Sequence, residues 1–120
     1  MEGQIKNFVN AKLQDLEGCH EGLGVLLHTE LFSGQEFASP IRFMNYTILP
    51  PNTSIGIHQH KNDEEIYIIL EGVGIMHLDG QEYAVKTGDV IRNKPFGTHG
   101  LKNTGNNQMK ILVFENAVVE

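Results

Sequence analysis

The 120-residue chain has one cysteine and no tryptophan. A single cysteine cannot close an internal disulfide, so packing must hold the fold without a covalent framework. A reactive thiol needs a cationic or helix-terminal setting, and none is visible around Cys19. Cys19 therefore reads as a small residue of no catalytic consequence. Basic residues are also scarce, with nine Lys and Arg against fifteen Asp and Glu and a formal net charge of −6. They form no cluster. Nucleic-acid phosphates and anionic membrane surfaces both call for clustered positive charge, so neither is an expected partner. The opening stretch MEGQIKNFVNAK has no apolar run of signal-peptide length. Nothing in the chain approaches the roughly 20 consecutive apolar residues of a membrane span. These absences predict a cytoplasmic protein.

Long helical periods are missing too, which removes the crossover helices of a parallel sheet. Internal repeats and low-complexity tracts are likewise absent. What the chain does have is thirteen glycines, four prolines and many short β-rich runs. LGVLLHTELF at 23–32 is the first, followed by IRFMNYTIL, which Pro50-Pro51 closes. SIGIHQH, EIYIIL and VGIMHL follow, and Asp79-Gly80 then gives a strong hairpin signal. EYAV, VIRN, THGLKN and MKILVFE complete the series, separated by turns at Lys86–Asp89, Pro95–Gly97 and Gly105–Asn107. Turns at roughly eight- to twelve-residue spacing predict an all-β antiparallel sandwich or barrel. Residues 1–20 have only weak periodicity and read as an N-terminal arm or a short helical turn. The length allows one domain, spanning 1–120, and a chain this small gains from burial against a partner subunit.

Chemistry concentrates at the centre of the chain. His58 and His60 are two residues apart in a predicted strand, so both imidazoles point to the same face. Two imidazoles so placed can share one metal at about 2.0–2.1 Å each. Glu65 follows a short polar bend and opens the next strand, sharing a face with Tyr67 and Ile69. A charge on that face needs a partner, and a metal is one. If the two strands pair as a hairpin, Glu65 faces the histidines. Glu64 points the other way and reads as a solvated charge.

These residues carry a resemblance. His58-x-His60-x4-Glu65-x6-Gly72 resembles the first motif of the cupins, and Gly88-Asp89 followed by Pro95-x-Gly97-x-His99-x3-Asn103 resembles the second. The resemblance spans about residues 40–116, leaving the arm and first strand at about 1–39. It implies a double-stranded β-helix, or jelly-roll barrel, that holds one metal on His58, His60, Glu65 and His99. The sequence departs from the pattern twice. Asn52 stands where the first motif begins with glycine, and asparagine can supply the same left-handed turn. In the second motif the histidine follows the glycine by three residues, whereas His99 follows Gly97 by two. Pro95 is one residue late as well, and the overall Gly88-to-His99 length is kept.

Three imidazoles and a carboxylate suit one divalent transition metal, whether iron, manganese, nickel, cobalt or zinc. Calcium and magnesium prefer all-oxygen shells. Tyr67, facing inward beside Glu65, and His77, in the VGIMHL strand, are the candidate catalytic residues, although His77 fits an exposed strand position better. His20 and His28 read as surface residues. Arg42 and Arg92 are the only arginines and are candidate clamps for a substrate carboxylate. Phe43, Met44 and Phe96 are candidate pocket walls. Gly72, Gly88 and Gly97 mark turns with positive φ. The functional expectation is a metalloenzyme acting on a small polar molecule, with isomerase, lyase, decarboxylase or oxygenase-type chemistry. The alternative is a ligand-binding or sensing protein with a structural metal. A homodimer is expected from the small size and the resemblance.

Overall fold

The computed structural model describes residues 3–118. Ten strands run in chain order: β1 (Gln14–Glu17), β2 (Val25–Ser33), β3 (Ile41–Leu49), β4 (Ser54–Gln59), β5 (Asp63–Glu71), β6 (Val73–Leu78), β7 (Gln81–Lys86), β8 (Val90–Asn93), β9 (Thr98–Asn103) and β10 (Met109–Ala117). They form two antiparallel sheets, ordered β1-β2-β3-β10-β5-β8 and β4-β9-β6-β7. Chain neighbours repeatedly fall in different sheets, giving the jelly-roll arrangement expected of the motif pattern. None of the helices among the described residues is long and apolar enough to cross a membrane.

Alternation builds the core. The odd positions of β5 face inward, and they hold Asp63, Glu65, Tyr67 and Ile69. In β10 the odd positions Met109, Ile111 and Val113 do the same, as do Met76 in β6 and Leu101 in β9. Burying each of the apolar side chains among these contributes about 1.5–3 kcal/mol. Asp79 and Gly80, with φ of 49° and 84°, turn β6 into β7 and pair Leu78 with Gln81, the two-residue hairpin read from the sequence. Asn52 takes φ 66°, so it supplies the left-handed turn in the glycine's place.

The N-terminal segment combines an arm with a short helical turn. Phe8 stacks on Tyr46 across the outer face of the larger sheet, with ring centroids 4.5 Å apart. β1 then pairs with β2, and a 3-10 turn at Cys19–Glu21 leads the chain over β4. The conditional hairpin between β4 and β5 is the expectation that needs correction. β4 pairs with β9, whereas β5 lies in the other sheet between β10 and β8. Glu65 therefore meets the histidines across the interior rather than along a hairpin.

Candidate metal centre

β4 and β9 set two of the imidazoles side by side. Their register places His58 opposite His99 and Ile55 opposite Leu101. Gly56 and Ile57 of β4 thus face the single residue Gly100 of β9, a bulge. The extra residue lets both Ile55 and His58 face inward and leaves Ile57 exposed. His60 follows directly after β4, tied by its backbone N–H to the carbonyl of Gly97 at 2.9 Å. Glu65 arrives from β5 in the opposite sheet.

The ligand atoms of His58, His60, Glu65 and His99 all lie within 4.8 Å of one another. Glu65 Oε1 is 2.9 Å from His99 Nε2 and 3.2 Å from His60 Nε2, and the two Nε2 atoms are 3.2 Å apart. Two ligands about 2.1 Å from an ion and at right angles to each other are about 3.0 Å apart, so this spacing fits a shared cation. The outward nitrogens point to the same conclusion. Nδ1 of His58 is 2.8 Å from the carbonyl of Gly56, which fixes its proton there and frees Nε2 as a ligand. Nδ1 of His60 lies 2.6 Å from Asp63 Oδ1 and 3.3 Å from Glu115 Oε1. That leaves lone pairs and a carboxylate oxygen converging on one point, where Glu65 Oε1 is buried and makes no directed hydrogen bond. A cation satisfies all of them.

The electrostatics of the metal-free cluster follow from the same contacts. The Glu65 carboxylate beside His60, helped against burial by Asp63, pulls the His60 imidazole up to about 9. Burial pushes Glu65 upward, but the adjacent imidazoles outweigh it and hold the carboxyl at about 2. These are two views of one attraction. Burial lowers His58 to about 4 against the pull of the Gly56 carbonyl, which keeps it a neutral donor. Glu115 rises to about 7 through burial and the nearby carboxylates of Asp63 and Glu65. Tyr67 is pushed well above its usual value, by burial first and then by Glu65, and stays a neutral phenol.

A cavity of about 430 Å³ reaches this cluster at Glu65 and Tyr67. Cys19, His20, His28 and Phe43 also line it. His20 and His28 are therefore not simply surface residues. The His20 ring stacks on His58 with centroids 3.5 Å apart and planes 10° apart, and His28 Nδ1 is 2.9 Å from Thr47 Oγ1. Sequence reading had no means of finding His20. Its placement depends on a 3-10 turn with φ 50° at His20 and on a close approach to Gly56, where any β-carbon would run into the His20 carbonyl. Asp63 and Glu115 were missed too, although each stands at an inward position of an alternating strand.

Other candidates lie elsewhere. The catalytic expectation for His77 is not supported, because it alternates with inward Met76 and faces outward, 3.8 Å from Glu82. Arg92 donates to Glu64 at 2.9 Å on the outer surface, and Arg42 lines a separate groove with Gly34 and Pro40. Phe43 lines the cavity, but Met44 is on the other face of β3 and Phe96 is 61% exposed. Gly97 does not carry a positive φ. Phe96 does, at 61°, three residues before His99. The left-handed position of the loop is thus kept where the cupin glycine stands, with a phenylalanine occupying it.

A family model for the cupin domain matches residues 45–115. The chain belongs to the cupin family. It is 34% identical over 91 residues to a protein of Thermotoga maritima described as an oxalate-binding protein, covering 76% of this chain and 75% of that one. Over 87 residues it is 38% identical to an uncharacterised protein of Methanocaldococcus jannaschii, covering 72% and 66% of the two chains. Its fold is similar to the crystal structure of a predicted oxalate decarboxylase from Thermotoga maritima. The TM-score is 0.93 at 27% identity, covering 96% of this cupin and all of that chain.

Proposed function

We propose that this cupin is a metal-dependent enzyme acting on a small polar molecule, with one divalent transition metal on His58, His60, Glu65 and His99. One observation carries the reading: the cluster of four converging donors meets a cavity of about 430 Å³ at Glu65 instead of being sealed in the core. A metal used only for structure needs no such access. When bound, the ion supplies Lewis acidity toward a carbonyl or hydroxyl placed beside it. The chain's own residues do the rest. His58 and His60 are held in their ligand tautomers by Gly56 and Asp63, and Leu26, Ile55 and Val113 give the cavity apolar walls. Tyr67, kept neutral at the cavity wall, is a hydrogen-bond donor and the candidate acid. Isomerase, lyase, decarboxylase and oxygenase-type reactions are all within this chemistry.

A second reading is binding without turnover, favoured by the description of the Thermotoga relative as oxalate-binding. The tests run in order. Freshly purified protein should contain close to one equivalent of a transition metal. His58→Ala combined with His60→Ala should abolish uptake while the far-ultraviolet circular dichroism stays β-rich. Uptake that survives the double variant removes the ligand assignment. Incubating the metal-loaded protein with keto acids, sugars and uronates then separates turnover from binding. A homodimer belongs to the same proposal, supported by exposed Val73, Tyr83 and Val90, and a monomer mass in solution refutes it.

A further inference from the structure

We infer that the cavity selects ligands that place a single metal-binding group at the centre and carry an uncharged, hydrogen-bond-donating far end against Asn45. This inference rests on the metal-centred reading above. It comes from what lines the cavity. Among the described residues the lining holds two carboxylates, Glu17 and Glu65, and no lysine or arginine. Neither arginine of the chain reaches it, since Arg92 is tied to Glu64 and Arg42 lines another groove. Asp63 and Glu115, buried behind His60, add more negative charge on the metal's far side. A second anionic group on a ligand would lose its hydration here and gain no counter-charge in return.

The polar groups that are available are neutral. Asn45 and Thr47 stand at inward positions of β3, and Thr47 Oγ1 already has His28 Nδ1 at 2.9 Å. Asn45 Oδ1 is buried and has no hydrogen-bond partner. A buried acceptor without a partner calls for a donor, and because Asn45 itself lines the cavity, a turn of its side chain brings the oxygen to an amide or hydroxyl of the ligand. The register fixes the span. Asn45 faces Val113 and Val113 faces Tyr67, so two strand spacings, roughly 10 Å, separate Asn45 from the Tyr67 end of the site. A five-carbon chain is about the right length. Leu26, Ile55 and Val113 offer it apolar walls.

The test uses a matched pair of probes, glutarate and its monoamide glutaramate, which differ only in whether the far group is charged. The protein is loaded with manganese, its metal content is measured, and each probe is titrated calorimetrically. Glutaramate should bind at least roughly tenfold more tightly. Asn45→Leu should erase that preference, and Asn45→Lys should reverse it toward glutarate, with manganese content unchanged in both. Glutarate binding as well as glutaramate, or neither probe binding to manganese-loaded protein at millimolar concentration, overturns the inference. The wild-type comparison decides this even if a variant fails to fold. Protein that takes up no manganese overturns the metal reading itself, and this inference with it.

Discussion

The same strands build two very different ends of the interior. At one end, Ile69 of β5, Leu101 of β9 and Ile111 of β10 are each no more than 1% exposed and touch other hydrocarbon. At the other end, the same three strands present Glu65, His99 and Glu115, joined by His58, His60 and Asp63. Backbone pairing is continuous from one end to the other. Only the side chains change, over two turns of the β alternation. The apolar end can supply stability, which frees the polar end to hold charges that favour a ligand over compactness.

The largest effect should come from breaking the apolar end. Leu101→Ala removes a buried side chain between the sheets and should cost about 2–5 kcal/mol of unfolding free energy in urea. Metal affinity, measured under conditions where the variant is folded, should stay close to wild type. A large loss of affinity would mean that the two ends are mechanically coupled.

Next comes Asp63→Asn, at the polar end. It removes the carboxylate 2.6 Å from His60 Nδ1 while keeping shape and volume. Metal affinity should fall about 10- to 100-fold, as for the loss of other groups that orient a ligand histidine. Stability of the metal-free protein should change much less than in Leu101→Ala. A competition assay with a chelator reads the first quantity and urea unfolding the second.

The pH dependence sharpens the same contrast. In the metal-free protein His60 is raised to about 9, so its proton is bound at neutral pH and a metal must displace it. Between pH 7 and about 9 the dissociation constant should fall by about tenfold per unit for that one proton, then level off. The sign for stability is opposite. A raised histidine contributes stability that is fully present below its unfolded value of 6.5 and is lost as pH rises through about 9. Glu65, lowered to about 2, contributes stability present above 4.5 and lost as pH falls through about 2. Metal-free protein should therefore lose stability from pH 7 to 10, while metal-loaded protein should not show that loss.

Much of this division was legible beforehand, and the reasons are local. Alternation alone puts Glu65, Tyr67 and Ile69 on one face, and Asp79-Gly80 names its own hairpin. His58 and His60 fall together because a strand repeats every two residues. His99 could be joined to them only through the family resemblance, because nothing local links it to residues some forty positions away. Asp63 and Glu115 carried a usable signal, a charge on the apolar side of an alternating strand. His20 carried none, since it depends on a left-handed turn and on a glycine in a different strand. The β4–β5 pairing failed for a similar reason: short loops favour hairpins, but in this fold the chain crosses between sheets.

The Pro95–Gly97 loop gives a smaller test. Phe96 is held at φ 61°, a conformation that costs a side-chain-bearing residue about 1–2 kcal/mol. Phe96→Gly should relieve part of that, raising stability by about 1 kcal/mol without changing metal uptake, because the ring is largely exposed. A loss of stability would show that the ring packs against something in solution.

The smallest expected effect is that of His77→Ala, and its smallness is the point. His77 lies on the outer face of β6, opposite Gly100 of β9 and Glu82 of β7, one residue from the inward Met76. Its contact with Glu82 is at 3.8 Å, between side chains that are 32% and 65% exposed, and such pairs contribute little in water. Stability should move by no more than about 0.5 kcal/mol, and metal content, ligand affinity and any turnover should be unchanged. His99 stands one register position away, opposite Leu78, and pointing inward it belongs to the candidate metal centre. Two histidines one step apart in the same sheet thus differ in role only by the face they occupy. A measurable loss of activity in His77→Ala would show that the outer face takes part in the chemistry, and the division between inward and outward positions would no longer explain where function sits.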